Sequence, residues 1–195
     1  MSRLLIATTN RGKQDEFRRL LGDLDAELVV PGDVGLDLEV PEPHATYAEN
    51  AADKAEAYAR ASGLLSLADD SGIEIAALDW GPGVRSARWG GGRNAERVLE
   101  TLGPDDDRQA RMVCAVAVAW PAHPAPQVEI FTGVVEGRIA DAMRGDGGFG
   151  YDPIFELPSG VTTAELPAAE KDRLSHRGRA VAAAVPRLRE LLAGH

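Results

Sequence analysis

Two carboxylates stand side by side in "SLADDSGIEI", residues 66–75. Asp69 and Asp70 follow one apolar run, and Ser71-Gly72 leads into another. Carboxylates so placed hold a divalent cation or accept a proton. The Ser-Gly pair predicts a turn between strands at 64–68 and 73–78. Successive side chains of an extended strand point to opposite faces. Only one of the pair is therefore expected to face a given cleft, with the other turned away to brace the turn or to support the site from behind. Glu42 is the other acid available to a metal. Glu49 reads as a helix cap and Glu56 as a solvated helix residue.

The positive charge is as selective. Of 21 basic residues only Lys13, Lys54 and Lys171 are lysines. A compact ammonium with rotatable donors suits phosphate oxygens. Lys13 lies in "ATTNRGKQDEF", where a polar loop joins a buried strand to a helix. Backbone N–H groups and the helix dipole favour an anion there, and Thr8, Thr9 and Asn10 add donors. The pattern is not a Walker A loop. "GDGGFG", residues 145–150, matches G-x-G-x-x-G, but "YDPIF" follows instead of a helix, so the dinucleotide reading fails. The glycines instead suggest a tight loop that lets backbone approach a ligand. Phe149 can offer a ring face to a base, and Asp152 an acceptor. Lys171, His176 and Arg177 gather near a helix start that Ser175 can cap.

The elements that must position these groups follow from periodicity and caps. Strands are expected at 3–9 and 26–30. Helices are expected after Asn10, closed by Gly22, and from Thr46 to Ser62, where Thr46 and Glu49 have capping-box spacing. A helix at 94–102 precedes two long strands, 109–120 and 127–138, joined through "PAHPAP". A last helix begins near Ser175, and Pro186 is expected to kink or split it. This mixture, with antiparallel late strands, predicts an α/β fold with a mixed central sheet and flanking helices.

The length of 195 residues suits a single domain, 1–195, with two lobes. Net charge of −10 argues against nucleic-acid and membrane-surface partners, and no 18-residue apolar run suggests a membrane span. "MSRLLIATTN" lacks the features of a signal peptide. The single cysteine, Cys114, sits in an apolar strand-like run and reads as a core thiol, which fits a cytoplasmic protein.

Together "ATTNRGKQDEF", "TYAENAADKA", "LADDSGIEI", "GPGVRSARWGG", "GDGGFGYDPIF" and "LSHRGRA" resemble the Ham1-like inosine/xanthosine triphosphate pyrophosphatases, from residue 4 to about 180. The resemblance implies Mg2+-dependent hydrolysis of ITP, dITP or XTP to monophosphate and pyrophosphate. It implies two lobes around a substrate cleft, and a homodimer. Carried over by motif, Thr8, Thr9, Asn10, Arg11, Gly12 and Lys13 bind triphosphate, and Lys54 reaches the same phosphates. Asp70 matches the metal-binding and proton-accepting aspartate, with Ser71 beside it at the substrate. Glu42 matches a metal ligand, although Glu39 competes for that role between the prolines of "EVPEPHATY". Phe149, Gly150, Tyr151, Asp152, Lys171, His176 and Arg177 match the base-recognition side. Thr9 departs from the small residue common at its position.

A carboxylate that ligates Mg2+ is a poor base, which leaves Asp69 or a metal-bound hydroxide as alternatives to Asp70. Two other functions compete: a related pyrophosphatase for modified pyrimidine nucleotides, and a non-catalytic nucleotide sensor. "SHRG" and "GGFGYDPIF" disfavour the first, and the retained acids and lysines the second.

Overall fold

Leu4, Leu5 and Ile6 are completely buried, so β1 (Arg3–Ile6) is apolar on both faces and belongs inside a sheet. The computed structural model describes residues 2–194. After β1 comes α1 (Arg11–Leu20). Asn10 caps it by accepting the Lys13 N–H at 3.0 Å, and Phe17 and Leu21, four residues apart, turn inward. Burying Phe17 contributes about 1.5–3 kcal/mol. Strand β2 (Glu27–Val29) follows. Helix α2 (Tyr47–Ser62) begins where the Thr46 hydroxyl accepts the Glu49 N–H, and it ends at Gly63 in the left-handed region, φ 69°. It buries Ala51, Ala55 and Ala59, and small side chains at that spacing let a helix pack closely.

Strand β3 (Leu65–Ile75) runs unbroken through Asp69-Asp70-Ser71-Gly72, where the sequence predicts a turn. Turn preference is a local term. Here Leu67, Ala68, Ile73 and Ile75 are buried on either side, and both aspartates are buried too, so sheet context overrides it. Next come β4 (Gly81–Pro82), α3 (Asn94–Thr101), β5 (Gln109–Trp120), β6 (Gln127–Ile139) and β7 (Phe155–Glu156). Helix α4 (Ala168–Leu174) is followed by α5 (His176–Ala193). Pro186 does not split α5. Ala180, Val181 and Ala184 before it and Leu188 and Leu191 after it pack into one core cluster, which holds both halves in register.

The strand order is β2-β1-β3-β5-β6-β7, with β4 paired to β3. Strand β1 is parallel to β2 and β3, whereas β3–β4 and β6–β7 are antiparallel, so the sheet is mixed. The segment between the adjacent strands β5 and β6 is too short for a parallel crossover, so that pair is a hairpin.

The chain forms two compact units. Unit 1 comprises Met1–Asp70, Cys114–Thr132 and Arg179–His195. Unit 2 comprises Ser71–Val113 and Gly133–Gly178. Unit 1 has two apolar clusters. One joins Leu4, Ile6, Phe17, Leu67 and Cys114 to α5, and the other joins Leu5 and Ala68 to α2. Unit 2 has its own core around Ile73, Ile75, Val98, Ile139, Ile154 and Phe155. The unit boundary falls inside β3, between Asp70 and Ser71. Among the described residues no helix is long and apolar enough to cross a membrane.

Candidate active site

In unit 1 the loop after β1 carries Thr8, Thr9 and Asn10, and the first turn of α1 carries Arg11, Gly12 and Lys13, at the C-terminal end of a parallel strand. Its shape is fixed locally. The Thr8 hydroxyl accepts the Asn10 N–H at 3.2 Å, and the Gln14 side-chain amide donates to the Thr8 carbonyl at 2.8 Å. The start of α1 carries no acid, which leaves its positive dipole end unopposed by its own side chains. Lys13 reaches from α1 to β3, where its ammonium lies 3.0 Å from Asp69 Oδ2.

Asp69 and Asp70 point to opposite faces of β3, as strand alternation requires. Asp69 lies on the Leu67 and Cys114 face, with the Cys114 thiol 3.8 Å from Oδ2. It braces no turn; it is the buried counter-charge of Lys13. Asp70 lies on the α2 face, where Asn50 Nδ2 donates to its Oδ2 at 3.0 Å. Burial pushes the Asp70 carboxyl above its ordinary value. Lys54, the Asn50 hydrogen bond and Lys13 pull it back in part, and the nearby Glu42 charge raises it.

Glu42 is held by Lys54, whose ammonium lies 2.6 Å from Glu42 Oε1 and 2.6 Å from the Asp69 carbonyl oxygen. That links the Glu42 segment to the β3 backbone one residue before Asp70. Among the described residues no three His, Cys, Asp or Glu side chains gather closely enough to hold a metal by themselves. Mg2+ does not need three, since it usually takes one or two carboxylates with phosphate oxygens and water. Glu42 and Asp70, two neighbouring carboxylates whose charges oppose each other, fit that requirement.

Unit 2 carries the second group. Asp152, 3% exposed, is its centre. Its Oδ2 accepts the Phe149 N–H at 2.7 Å and the Lys171 ammonium at 2.6 Å, and its Oδ1 accepts the Thr163 hydroxyl at 2.8 Å. Both oxygens thus hold protein donors and Asp152 organises the glycine loop, while a carboxylate's four acceptor sites leave room for a donor from a base as well. A Cβ built on Gly148 (φ 71°) would overlap the Asp152 carboxylate, so only glycine fits. The Phe149 ring, half-buried, lies 5.2 Å from Lys171 Nζ and 5.7 Å from the Arg177 guanidinium carbon. Two cations over one ring are a favourable arrangement for its quadrupole. Gly150, at φ 66°, turns the chain after Phe149. Burial pushes the Tyr151 phenol up to about 12, and its hydroxyl donates to the Ser86 carbonyl at 2.8 Å.

Ser175 caps α5 by accepting the Gly178 N–H at 3.0 Å, which sets buried His176 and Arg177 on the first turn. Arg177 donates to the Ser71 hydroxyl at 3.0 Å. A Cβ on Gly178 would overlap the Asp172 carbonyl oxygen, which explains the glycine of "SHRG" as a packing requirement. The structure therefore assembles Lys13, Glu42, Lys54 and Asp70 in unit 1, and Ser71, Phe149, Asp152, Lys171 and Arg177 in unit 2. Sequence reasoning did not select Asn50 or Thr163. Asn50 lies one helical turn before Lys54, and that i, i+4 spacing was the available signal. Thr163 had none.

Residues 4–187 match the sequence model of the Ham1 family. The chain is 46% identical to a dITP/XTP pyrophosphatase of Symbiobacterium thermophilum, over 97% of this chain and 96% of that protein. It is 42% identical to a dITP/XTP pyrophosphatase of Listeria monocytogenes, over 93% and 92%. Among solved structures, a HAM1 protein from Coxiella burnetii superposes with a TM-score of 0.83 at 38% identity, covering all of both chains. The Staphylococcus aureus Ham1 protein does so with a TM-score of 0.81 at 36% identity, over 99% of each. With its motifs, its fold and these likenesses in agreement, this chain belongs to the Ham1 family.

Proposed function

We propose that the protein is a nucleoside-triphosphate pyrophosphohydrolase that clears ITP, dITP and XTP from the nucleotide pool as monophosphate and pyrophosphate, using Mg2+. The carrying observation is the set of two acids and two lysines, Asp70, Glu42, Lys13 and Lys54, on neighbouring elements of unit 1. The names of the relatives agree with it. We read residues 1–195 as one catalytic domain.

Hydrolysis at the α-phosphorus joins a water oxygen to phosphorus and breaks the bond to the β-phosphate bridging oxygen. Phosphoryl chemistry of this kind depends mainly on positioning and electrostatics. Lys13, Lys54 and the N–H groups of the Thr8–Lys13 loop bind the polyphosphate and stabilise the leaving pyrophosphate. Glu42 would hold Mg2+, which when bound neutralises phosphate charge. A carboxylate on the metal is a poor base, so it is as the group beside the metal, with Glu42 as ligand, that Asp70 orients the attacking water and takes its proton. Burial raises the Asp70 carboxyl, which favours proton uptake there, and Asp69 is already engaged by the Lys13 ammonium at 3.0 Å.

The base falls to unit 2. Phe149 offers a ring face, beside Gly150 and Tyr151. Lys171, His176, Arg177 and the start of α5 offer donors, with Ser71 next to them. A donor-rich site suits O6 of hypoxanthine or xanthine, whereas adenine presents an amino donor at that position and leaves the site's donors unpaired. Assembly as a homodimer and a cytoplasmic setting belong to the same proposal.

The test supplies ITP, XTP, dUTP, ATP and GTP in turn with Mg2+ and measures pyrophosphate and orthophosphate separately. Pyrophosphate from ITP and XTP, with little from ATP, is expected. Absence of pyrophosphate from both would overturn the function, and orthophosphate alone would move the cleavage to the γ-phosphate. Light scattering on the same material is expected to give a dimer mass.

A further inference from the structure

We infer that Asn50 is a positioning residue of the reaction, which fixes the Asp70 carboxylate and the Glu42-bearing segment with one buried amide. The inference rests on the role proposed for Asp70. Asn50 is 1% exposed on α2, among the alanines of that helix's buried face. A polar amide in such surroundings costs stability unless it is fully bonded. It is bonded three ways. Its Nδ2 donates to Asp70 Oδ2 at 3.0 Å and makes a longer contact, 3.4 Å, with the His44 carbonyl. Its Oδ1 accepts the His44 N–H at 3.0 Å.

His44 lies two residues after Glu42, in a segment without regular structure between residues 35 and 46. Such a segment has no ladder of its own to hold a carboxylate still. Asn50 ties it at His44, and Lys54, one turn further along α2, ties it at Glu42. One helix face thus sets the two carboxylates relative to each other. Lys54 does so by charge, and Asn50 by a directed amide that selects which oxygen of Asp70 is held. Partners of this kind orient groups that touch the metal or substrate without touching either.

Asn50→Asp separates the two functions. It keeps an acceptor for the His44 N–H but sets an acceptor against Asp70 Oδ2. Asn50→Ala removes both. Purified full-length variants are compared by steady-state hydrolysis of ITP and by thermal unfolding. Asn50→Asp is expected to lower kcat about 10- to 100-fold, with KM for ITP changed less than about threefold.

The deciding measurement repeats Asn50→Asp in an Asp70→Asn background, by single-turnover hydrolysis with enzyme in excess. Because Asn50 acts through Asp70, the second substitution is expected to cost less than about threefold there. An equal loss in both backgrounds overturns the inference and leaves Asn50 a packing residue. So does a loss carried wholly by KM. Should Asn50→Asp fail to fold, Asn50→Ala and Asn50→Ser enter the same cycle with the same criterion. Full activity of Asp70→Asn alone is a separate result and overturns the role of Asp70.

Discussion

Asp70→Asn is expected to lower kcat for pyrophosphate release from ITP by about 10²- to 10⁴-fold, the range for removing a group that handles a proton in the transition state. The same substitution is expected to leave thermal stability at neutral pH unchanged or higher. The sign follows from the raised Asp70 carboxyl, whose main cause is burial. A carboxyl whose pKa is higher in the folded state than in the unfolded state favours folding fully only below the unfolded value, about 3.9. That contribution is lost as pH rises through the folded value. At neutral pH the ionised Asp70 therefore weighs against folding, and neutral Asn relieves the cost. The two measurements are kcat and Tm at pH 7. A large fall in kcat with Tm held or raised fits a charge retained for chemistry. A parallel fall in both would make Asp70 a structural residue.

The second large effect is on stability. Lys171→Met leaves the buried Asp152 carboxylate without its cation, and breaking a buried pair from one side costs about 3–5 kcal/mol. For a chain of this length that lowers Tm by about 10 °C. Adding Asp152→Asn to Lys171→Met is expected to recover part of the loss, because no uncompensated charge then remains inside. Denaturant unfolding of the single and double variants checks this. A Lys171→Met protein as stable as the parent would mean that Asp152 draws its stabilisation from the Phe149 N–H and the Thr163 hydroxyl alone. The pair also bears on the site, since Asp152 holds the Phe149 backbone while Lys171 lies over the Phe149 ring. Weaker ITP binding is expected to accompany the loss of stability.

Much of the site could be read from local chemistry. Asn10 and Thr46 announced two helix starts, because a side-chain oxygen followed by a free helical N–H is a short-range arrangement. The long strands at 109–120 and 127–138 showed themselves by apolar content and length, within a residue of β5 and β6. Three lysines in an arginine-rich chain pointed to places where a compact cation matters, and Lys13 and Lys54 each meet a buried or half-buried partner on β3 or beside it.

What the sequence by itself determined was the inventory: which acids, lysines and glycines exist, on which kind of element, and the order that identifies the family. Only the tertiary structure decided what each group touches. Asp69-Asp70-Ser71-Gly72 has the residues of a turn, yet it is the middle of β3, because pairing and burial on both faces outweigh a local preference. Pro186 stays inside α5 because the core grips the helix on both sides of it. Asp152 was expected as an acceptor for a base, and only the fold shows that Thr163 and Lys171, from later segments, also engage it. Asp69 looked like a brace, and Lys13 from α1 makes it a buried counter-ion. Asn50 was not singled out by the sequence, and only the fold brings His44 and Asp70 to it. In each case the deciding partner is distant in the chain or brought close by a fold that no local pattern encodes. The energy of a buried polar group depends on that partner and not on its neighbours in sequence.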